Sequence, residues 1–404
     1  MSEMALLLAL LVVSYVGSLL LSSGGRGYGM PAGSHWLVLG FVFGPYALKL
    51  APHDAIASFG PLALVATAWI ALVLGAEYGY AGERGLSPRA ILLGFATALS
   101  SAGLVALPVY AIAFFVAKLS AHDARIVAAG LGLSCCESAR QAVRWVAERG
   151  AEGPLLRLLE DITDTDEIVP LLGLAFLFAG VPSSLTVVPI SYPVWLLVTL
   201  LLGIVLGLTA TLLLSGLTNA AESWGVLLGA ALLGTGIAWR LSISPLTALF
   251  VMGVCVSALS RHALALRPML ARTEAAVLLP TLLLAGALLR FDGKGLWWIL
   301  PATLIVRTLA RGALGYTLAL ATGARADQRF SIGLGMSSTG AVSVLVGLTF
   351  AFRFPGALGD LVLTVASCCA VVGDVLGPFG LRRALVPSEA HALLPSEDEN
   401  ASAS

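Results

Sequence analysis

Between residues 160 and 167 the chain places five carboxylates, Glu160, Asp161, Asp164, Asp166 and Glu167, directly ahead of the apolar run "IVPLLGLAFLFAG". An acid carried into hydrocarbon is expensive and marks a functional position by default. Glu160 and Asp161 stand at the mouth of the segment and read as solvated. Asp164 and Glu167, three residues apart, share a helix face, and Asp166 points elsewhere. Capping of a helix N-terminus would employ one or two of the acids and leave the innermost without a task. The chemistry open to such a carboxylate is narrow: it takes up a proton or it coordinates a small cation. Burial favours the neutral carboxyl, whereas a bound Na⁺ or K⁺, or a nearby arginine, favours the carboxylate. A group poised in this way, meeting each side of a membrane in turn, is a competitive exchange site. The expected site, including Na⁺ or K⁺ as bound ion, is Asp166 with Glu167, and Asp164 is the third candidate.

Two arginines lie equally deep. Arg307 and Arg311, in "LPATLIVRTLARGALGYTLALATG" (300 to 323), are one helical turn apart on the same face. Arginine does not give up its proton, so they are read as fixed counter-charges for carbonyls or for the acids. Two further segments interrupt apolar runs with small polar residues: "GLSCCESARQ" (132 to 141), with Ser134, Cys135, Cys136 and Glu137, and "GLGMSSTGAV" (333 to 342), with Ser337, Ser338 and Thr339. Small residues also serve plain helix packing. As a matched pair beside an acidic span, however, they read as unwound helices whose freed backbone groups face ions. Glu137 either joins this site or pairs with Arg140. Asp374 reads as structural, and Glu274 as an interfacial charge.

The elements that position these groups follow from composition. The chain has 404 residues, 58% of them hydrophobic and 11% charged, and a mean hydropathy of +0.94, which places it among integral membrane proteins. About 20 apolar residues are needed per span. Thirteen spans are expected, at 3 to 22, 33 to 50, 55 to 77, 88 to 118 (tilted or kinked at Pro108), 124 to 147, 158 to 180, 188 to 216, 222 to 240, 243 to 260, 268 to 290, 296 to 321, 328 to 352 and 357 to 381. Odd-numbered connections and the C-terminal end carry 13 Lys and Arg, against 7 in even-numbered ones. By the positive-inside rule this predicts an external N-terminus and a cytoplasmic C-terminus. The N-terminal run, led by an acid and no base, reads as a span and not as a cleaved signal.

Thirteen spans permit an inverted repeat: residues 1 to 180 and 222 to 385, joined by a linker helix within 181 to 221. The two interrupted spans then occupy matching positions, as crossing helices. Residues 386 to 404 form a short acidic tail without a core. The five cysteines lie in apolar stretches without zinc-type spacing and read as packing thiols. A net charge of zero gives no hint of nucleic-acid binding. No catalytic nucleophile, metal cluster or phosphate loop is evident, so neither an enzyme nor a cofactor is expected.

Five stretches in order, "LGFVFGPYALKL" (39 to 50), "LALVATAWIALVLGAEYGY" (62 to 80), "GLSCCESARQAVRWVAERG" (132 to 150), "DEIVPLLGLAF" (166 to 176) and "FSIGLGMSSTGAVSVLVG" (330 to 347), resemble the cation:proton antiporter-2 superfamily of Kef-type and Nap-type transporters. The resemblance spans nearly the whole membrane portion. It implies an all-α fold of the Nha/Nap type, a homodimer, and exchange of Na⁺, K⁺ or Li⁺ for H⁺ by an elevator-like movement in the cytoplasmic membrane. The family's Ile-Gly-Leu-Glu-like stretch corresponds to Leu74, Gly75, Ala76 and Glu77. Its acidic pair falls on Asp166 and Glu167 when aligned on Gly173, with glutamate where the family has its essential aspartate, or on Asp164 and Thr165 when aligned on Pro170. Its basic residue falls on Arg311, with Arg307 second. Kef-type members append a nucleotide-binding domain, for which this chain has no room. A symporter or organic-anion carrier on a related scaffold, and a non-transporting membrane sensor, are the alternatives.

Overall fold

The computed structural model describes residues 30–50, 52–79, 88–181, 191–216, 220–260, 263–293 and 295–385. The first expected span (3 to 22) and the C-terminal tail lie outside them. Among the described residues there are helices and connections and no strand. In chain order the helices are α1 (Ser34–Phe43), α2 (His53–Ser58), α3 (Gly60–Gly79), α4 (Pro88–Ala111), α5 (Ala121–Ser134), α6 (Arg140–Ala147), α7 (Pro154–Asp166), α8 (Ile168–Gly180), α9 (Tyr192–Leu214), α10 (Ala220–Leu241), α11 (Pro245–Leu259), α12 (Ala263–Ala287), α13 (Leu296–Ala321), α14 (Ala326–Met336), α15 (Ala341–Arg353) and α16 (Ala357–Leu385).

Eight segments among the described residues are long and apolar enough to cross a bilayer: α3, α4, α9, α10, α12, α13, the α14–α15 pair and α16. The helices α1 and α11 are apolar but shorter. Of the thirteen expected spans, these eight register by length and composition among the described residues. The interruptions cut expected spans 5 and 6 into pieces of 14, 8, 13 and 13 residues. Outward side chains such as Leu107, Leu212 and Leu309 are exposed and apolar, as a lipid-facing surface requires. Pro108 does not end α4. The helix runs through it to Ala111 and then widens into a π-helical turn, Ile112–Val116, closed by Ala117 N–H to the Ile112 carbonyl at 2.9 Å.

The helices sort into two bundles. In the first, α3, α9, α10, α11 and α12 share a core that includes Leu72, Leu206, Leu227, Leu249, Met252 and Leu270, and α1 packs on α12. The second holds α4 to α8 and α13 to α16, with Val143, Leu159, Leu318, Ile332 and Leu381 in its interior. A larger apolar cluster, including Leu74, Leu131, Phe250, Leu283 and Phe350, fills the seam between them. Asp374 of α16 crosses the same seam, where its carboxylate accepts from the N–H groups of Ala32 (2.9 Å) and Ser34 (3.2 Å) at the start of α1. This is the structural role expected of it.

Close approach within the first bundle depends on missing side chains. Gly75 of α3 lies against the Phe250 carbonyl of α11, and Gly253 of α11 lies reciprocally against the Leu72 carbonyl of α3. A Cβ at Gly75 would meet backbone that cannot step aside. Gly75→Ala should therefore lower unfolding stability by about 1–3 kcal/mol, read as a drop in thermal midpoint in detergent. Gly229→Ala, on a face with nothing within 4 Å, should leave that midpoint in place.

Candidate cation/proton site

Both expected interruptions are present, and they touch. The first crossing helix unwinds between α5 and α6, at residues 135–139, and the second between α14 and α15, at residues 337–340. Ser138 Oγ donates to the Met336 carbonyl at 3.3 Å, and Ala139 N–H donates to Ser338 Oγ at 3.1 Å. Local chemistry helps each helix to stop. Ser134 and Ser337 return their hydroxyls to the carbonyls of Gly130 (2.8 Å) and Leu334 (2.6 Å), bonds that compete with continued helix. These two serines were expected to line the breaks, and the structure turns their hydroxyls back onto their own helices.

Unwinding at this depth frees carbonyls that water cannot reach, and each must find a donor. The two deep arginines of α13 supply them. Arg311 donates from Nη1 to the Cys136 carbonyl (2.8 Å), from Nε to the Met336 carbonyl (3.2 Å) and from Nη2 to Asp166 Oδ2 (2.7 Å). Arg307 donates from Nη1 to the Ser337 carbonyl (2.5 Å), and from Nη2 to the carbonyls of Ser338 (2.7 Å) and Glu137 (3.4 Å). Each guanidinium thus bridges the two breaks, and both serve as fixed positive charges on carbonyls. Lysine at either position would lose the planar fork that reaches several acceptors at once.

Glu137, which the sequence offers either to the site or to Arg140, turns away from Arg140 and joins the breaks. Its Oε1 accepts from the N–H groups of Gly340 (2.8 Å) and Ser343 (3.2 Å). It therefore caps the start of α15, where the orphan donors of a helix N-terminus favour an anion. Cys135 and Cys136 are buried, free thiols, as expected of packing cysteines, and the Cys136 carbonyl is what the site uses. Thr339 Oγ1 is buried without a hydrogen-bond partner.

The three expected acids occupy different environments. Asp166 is tied down: besides Arg311, its Oδ2 accepts from Ser138 N–H at 3.0 Å. Asp164 is 17% exposed and sits 3.6 Å from Arg144 Nη2. It lines a cavity of about 820 Å³ with Glu77, Arg140, Arg144, Glu160 and Asp161. Glu167 occupies the turn between α7 and α8 and has no exposed surface. Neither of its oxygens has a hydrogen-bond partner, and Arg140 Nε stands 3.5 Å from Oε1. Burying an unbonded carboxylate is costly, and of the three acids Glu167 bears that cost on both oxygens.

Arg140 was not singled out as a site residue from the sequence. It contacts Glu167, forms an ion pair with Glu77, and places Nη2 2.9 Å from Glu274 Oε1. Glu274 is thus drawn into the constellation instead of resting at an interface. Its partner lies 134 residues away, a separation that no local spacing signals. Four carboxylates (Glu77, Asp164, Glu167 and Glu274) thus gather on the guanidiniums of Arg140 and Arg144, and Arg157 and Arg267 line the same cavity. The cluster is interleaved with arginine, and among the described residues no three His, Cys, Asp or Glu side chains gather around a common metal position.

No family model matches the sequence, and no curated protein matches it. Its fold, however, is that of a solved transporter. The structure of the sodium proton antiporter MjNhaP1 from Methanocaldococcus jannaschii at pH 8 aligns over 95% of this chain and 95% of its own, with a TM-score of 0.63 and 13% identity. An electron-microscopy structure of the same antiporter aligns over 98% of this chain and 100% of its own, with a TM-score of 0.64 and 14% identity. The chain is a multi-pass helical membrane protein with the sodium proton antiporter fold.

Proposed function

We propose that this protein is a secondary active antiporter that exchanges a monovalent cation, Na⁺, K⁺ or Li⁺, for H⁺. The observation that carries the reading is Glu167, fully buried beside two unwound helices, with both carboxylate oxygens lacking a hydrogen bond. Glu167 holds a proton or an alkali ion, and binding of one expels the other. Asp166 with Arg311 supplies a neutral, fixed pair next to it, and Asp164 stands in the cavity through which ions arrive. Exchange needs no nucleotide and no redox partner, because the gradient of either ion drives the other.

The same reading places the two bundles in an elevator-like relation, with the second bundle carrying Glu167 past the first. It takes residues 1 to 180 and 222 to 385 as inverted repeats around the two breaks. It also takes the protein as a homodimer in the cytoplasmic membrane, with the N-terminus outside. The fold shared with a sodium proton antiporter supports exchange as the activity. The paired interruptions support a repeat.

The test is dequenching of a pH-sensitive dye in everted vesicles on addition of Na⁺, K⁺ or Li⁺. Wild-type protein should collapse the proton gradient with at least one of the three ions. Asp161→Asn, which alters a half-buried acid in the cavity mouth, should retain most of that response. A gradient that none of the three ions disturbs would refute the proposal.

A further inference from the structure

Arg140 stands on the seam between the bundles and is shared unequally. Glu77, near the end of α3, and Glu274 of α12 belong to the first bundle, and both accept hydrogen bonds from the guanidinium. Glu167 belongs to Arg140's own bundle, yet its Oε1 lies 3.5 Å from Nε, longer than a charged hydrogen bond. Arg140 Nε and both Glu167 oxygens are buried without hydrogen-bond partners. The acids of the facing bundle hold the guanidinium just short of the acid it would otherwise neutralise.

We infer that Glu77 and Glu274 set the cation affinity of Glu167 by holding Arg140 away from it. The inference rests on the exchange reading above and assigns a function to two residues that reading does not use. The physical reason is competition: a guanidinium in full contact with Glu167 would occupy the lone pairs a cation needs, in surroundings where charges interact strongly. Glu77 and Glu274 are therefore positioning residues that act through Arg140. The arrangement also ties affinity to movement. If the bundles slide, Arg140 travels with Glu167 and leaves Glu77 and Glu274 behind. It then approaches Glu167 and weakens its hold on the cation, which a proton replaces.

The test is calorimetric titration of Na⁺, K⁺ and Li⁺ into the purified full-length protein. Glu274→Gln should raise the Kd of the bound ion about fivefold or more, the usual scale of a coupling between sites. Arg140→Gln should lower it. In the Arg140→Gln background, Glu274→Gln should change the Kd less than about twofold, because the two substitutions act on one interaction. Glu160→Gln, which removes a cavity acid from outside the Arg140 contacts, should also stay within about twofold and controls for the general field. An unchanged Kd in Glu274→Gln, or an equal rise with and without Arg140, would overturn the inference. Should Arg140→Gln fail to assemble, the Glu77→Gln/Glu274→Gln double variant decides: its Kd must exceed that of Glu274→Gln alone, and equality overturns the inference. Wild-type protein that bound none of the three ions would overturn the exchange reading as well. Normal wild-type binding with an unaltered Glu274→Gln would overturn the inference alone.

Discussion

Glu167→Gln is expected to abolish cation-driven proton movement, lowering the rate in reconstituted vesicles by about 100-fold or more, equivalent to ~2.7 kcal/mol on the transport barrier. Glutamine keeps the volume and one carbonyl oxygen but removes the charge and the titratable proton together. At Glu167 nothing compensates, because neither oxygen is engaged in a hydrogen bond that amide chemistry could preserve. The loss should appear for every transported cation and at every pH, since the variant cannot load a proton on the return step. Measured against Asp161→Asn in the same vesicles, a full loss in one and a small one in the other assigns the exchanging proton to Glu167. Equal activity in the two would remove Glu167 from its role.

The second large effect concerns the fold of the site. Arg311→Ala should reduce unfolding stability by about 3–5 kcal/mol, the usual consequence of removing one member of a buried ion pair. The substitution strips a donor from the carbonyls of Cys136 and Met336 and leaves the Asp166 carboxylate without its cation. Arg311→Ala/Asp166→Asn should recover part of the loss, because the uncompensated charge is gone while the two carbonyls still lack a partner. Thermal midpoints in detergent should therefore rank wild type first, the double variant second and Arg311→Ala last. A single variant as stable as wild type would mean that the breaks do not depend on Arg311.

The parts of this site that were legible in the sequence are those whose energetic cost is local. A Gly/Ser break in an apolar run, a buried acid and two arginines one turn apart are each expensive in lipid, and each is visible without a partner. The breaks at residues 135–139 and 337–340, the clamp by Arg307 and Arg311, and the burial of Glu167 all follow from that expense. What the sequence left open is who pairs with whom. Glu137 and Arg140 are three residues apart and look like natural partners, yet the unwound chain turns Glu137 to the start of α15 and Arg140 to Glu77 and Glu274. Those choices are made by tertiary packing across 63 to 206 residues. Length and composition register eight of the thirteen expected spans among the described residues for a related reason. Helices that stop at the site are too short to register as spans by themselves, so the functional region is where the apolar-length criterion is least informative.

Asp164, Asp166 and Glu167 illustrate the same division. Helical spacing correctly separates Asp166 from its neighbours, but their depth and partners depend on α13, α6 and the cavity mouth. Asp166 is held by Arg311 and Ser138, Asp164 lies near Arg144 in the cavity, and Glu167 alone of the three is left without a hydrogen bond on either oxygen.

Proton release on cation binding tests the competition at Glu167 most directly. Purified protein in weakly buffered solution near neutral pH, mixed with Na⁺, K⁺ or Li⁺, should acidify the medium as the ion displaces a proton. Glu167→Gln should release none, and Asp161→Asn should release as much as wild type. Cation binding without acidification, or undiminished acidification in Glu167→Gln, would contradict the account.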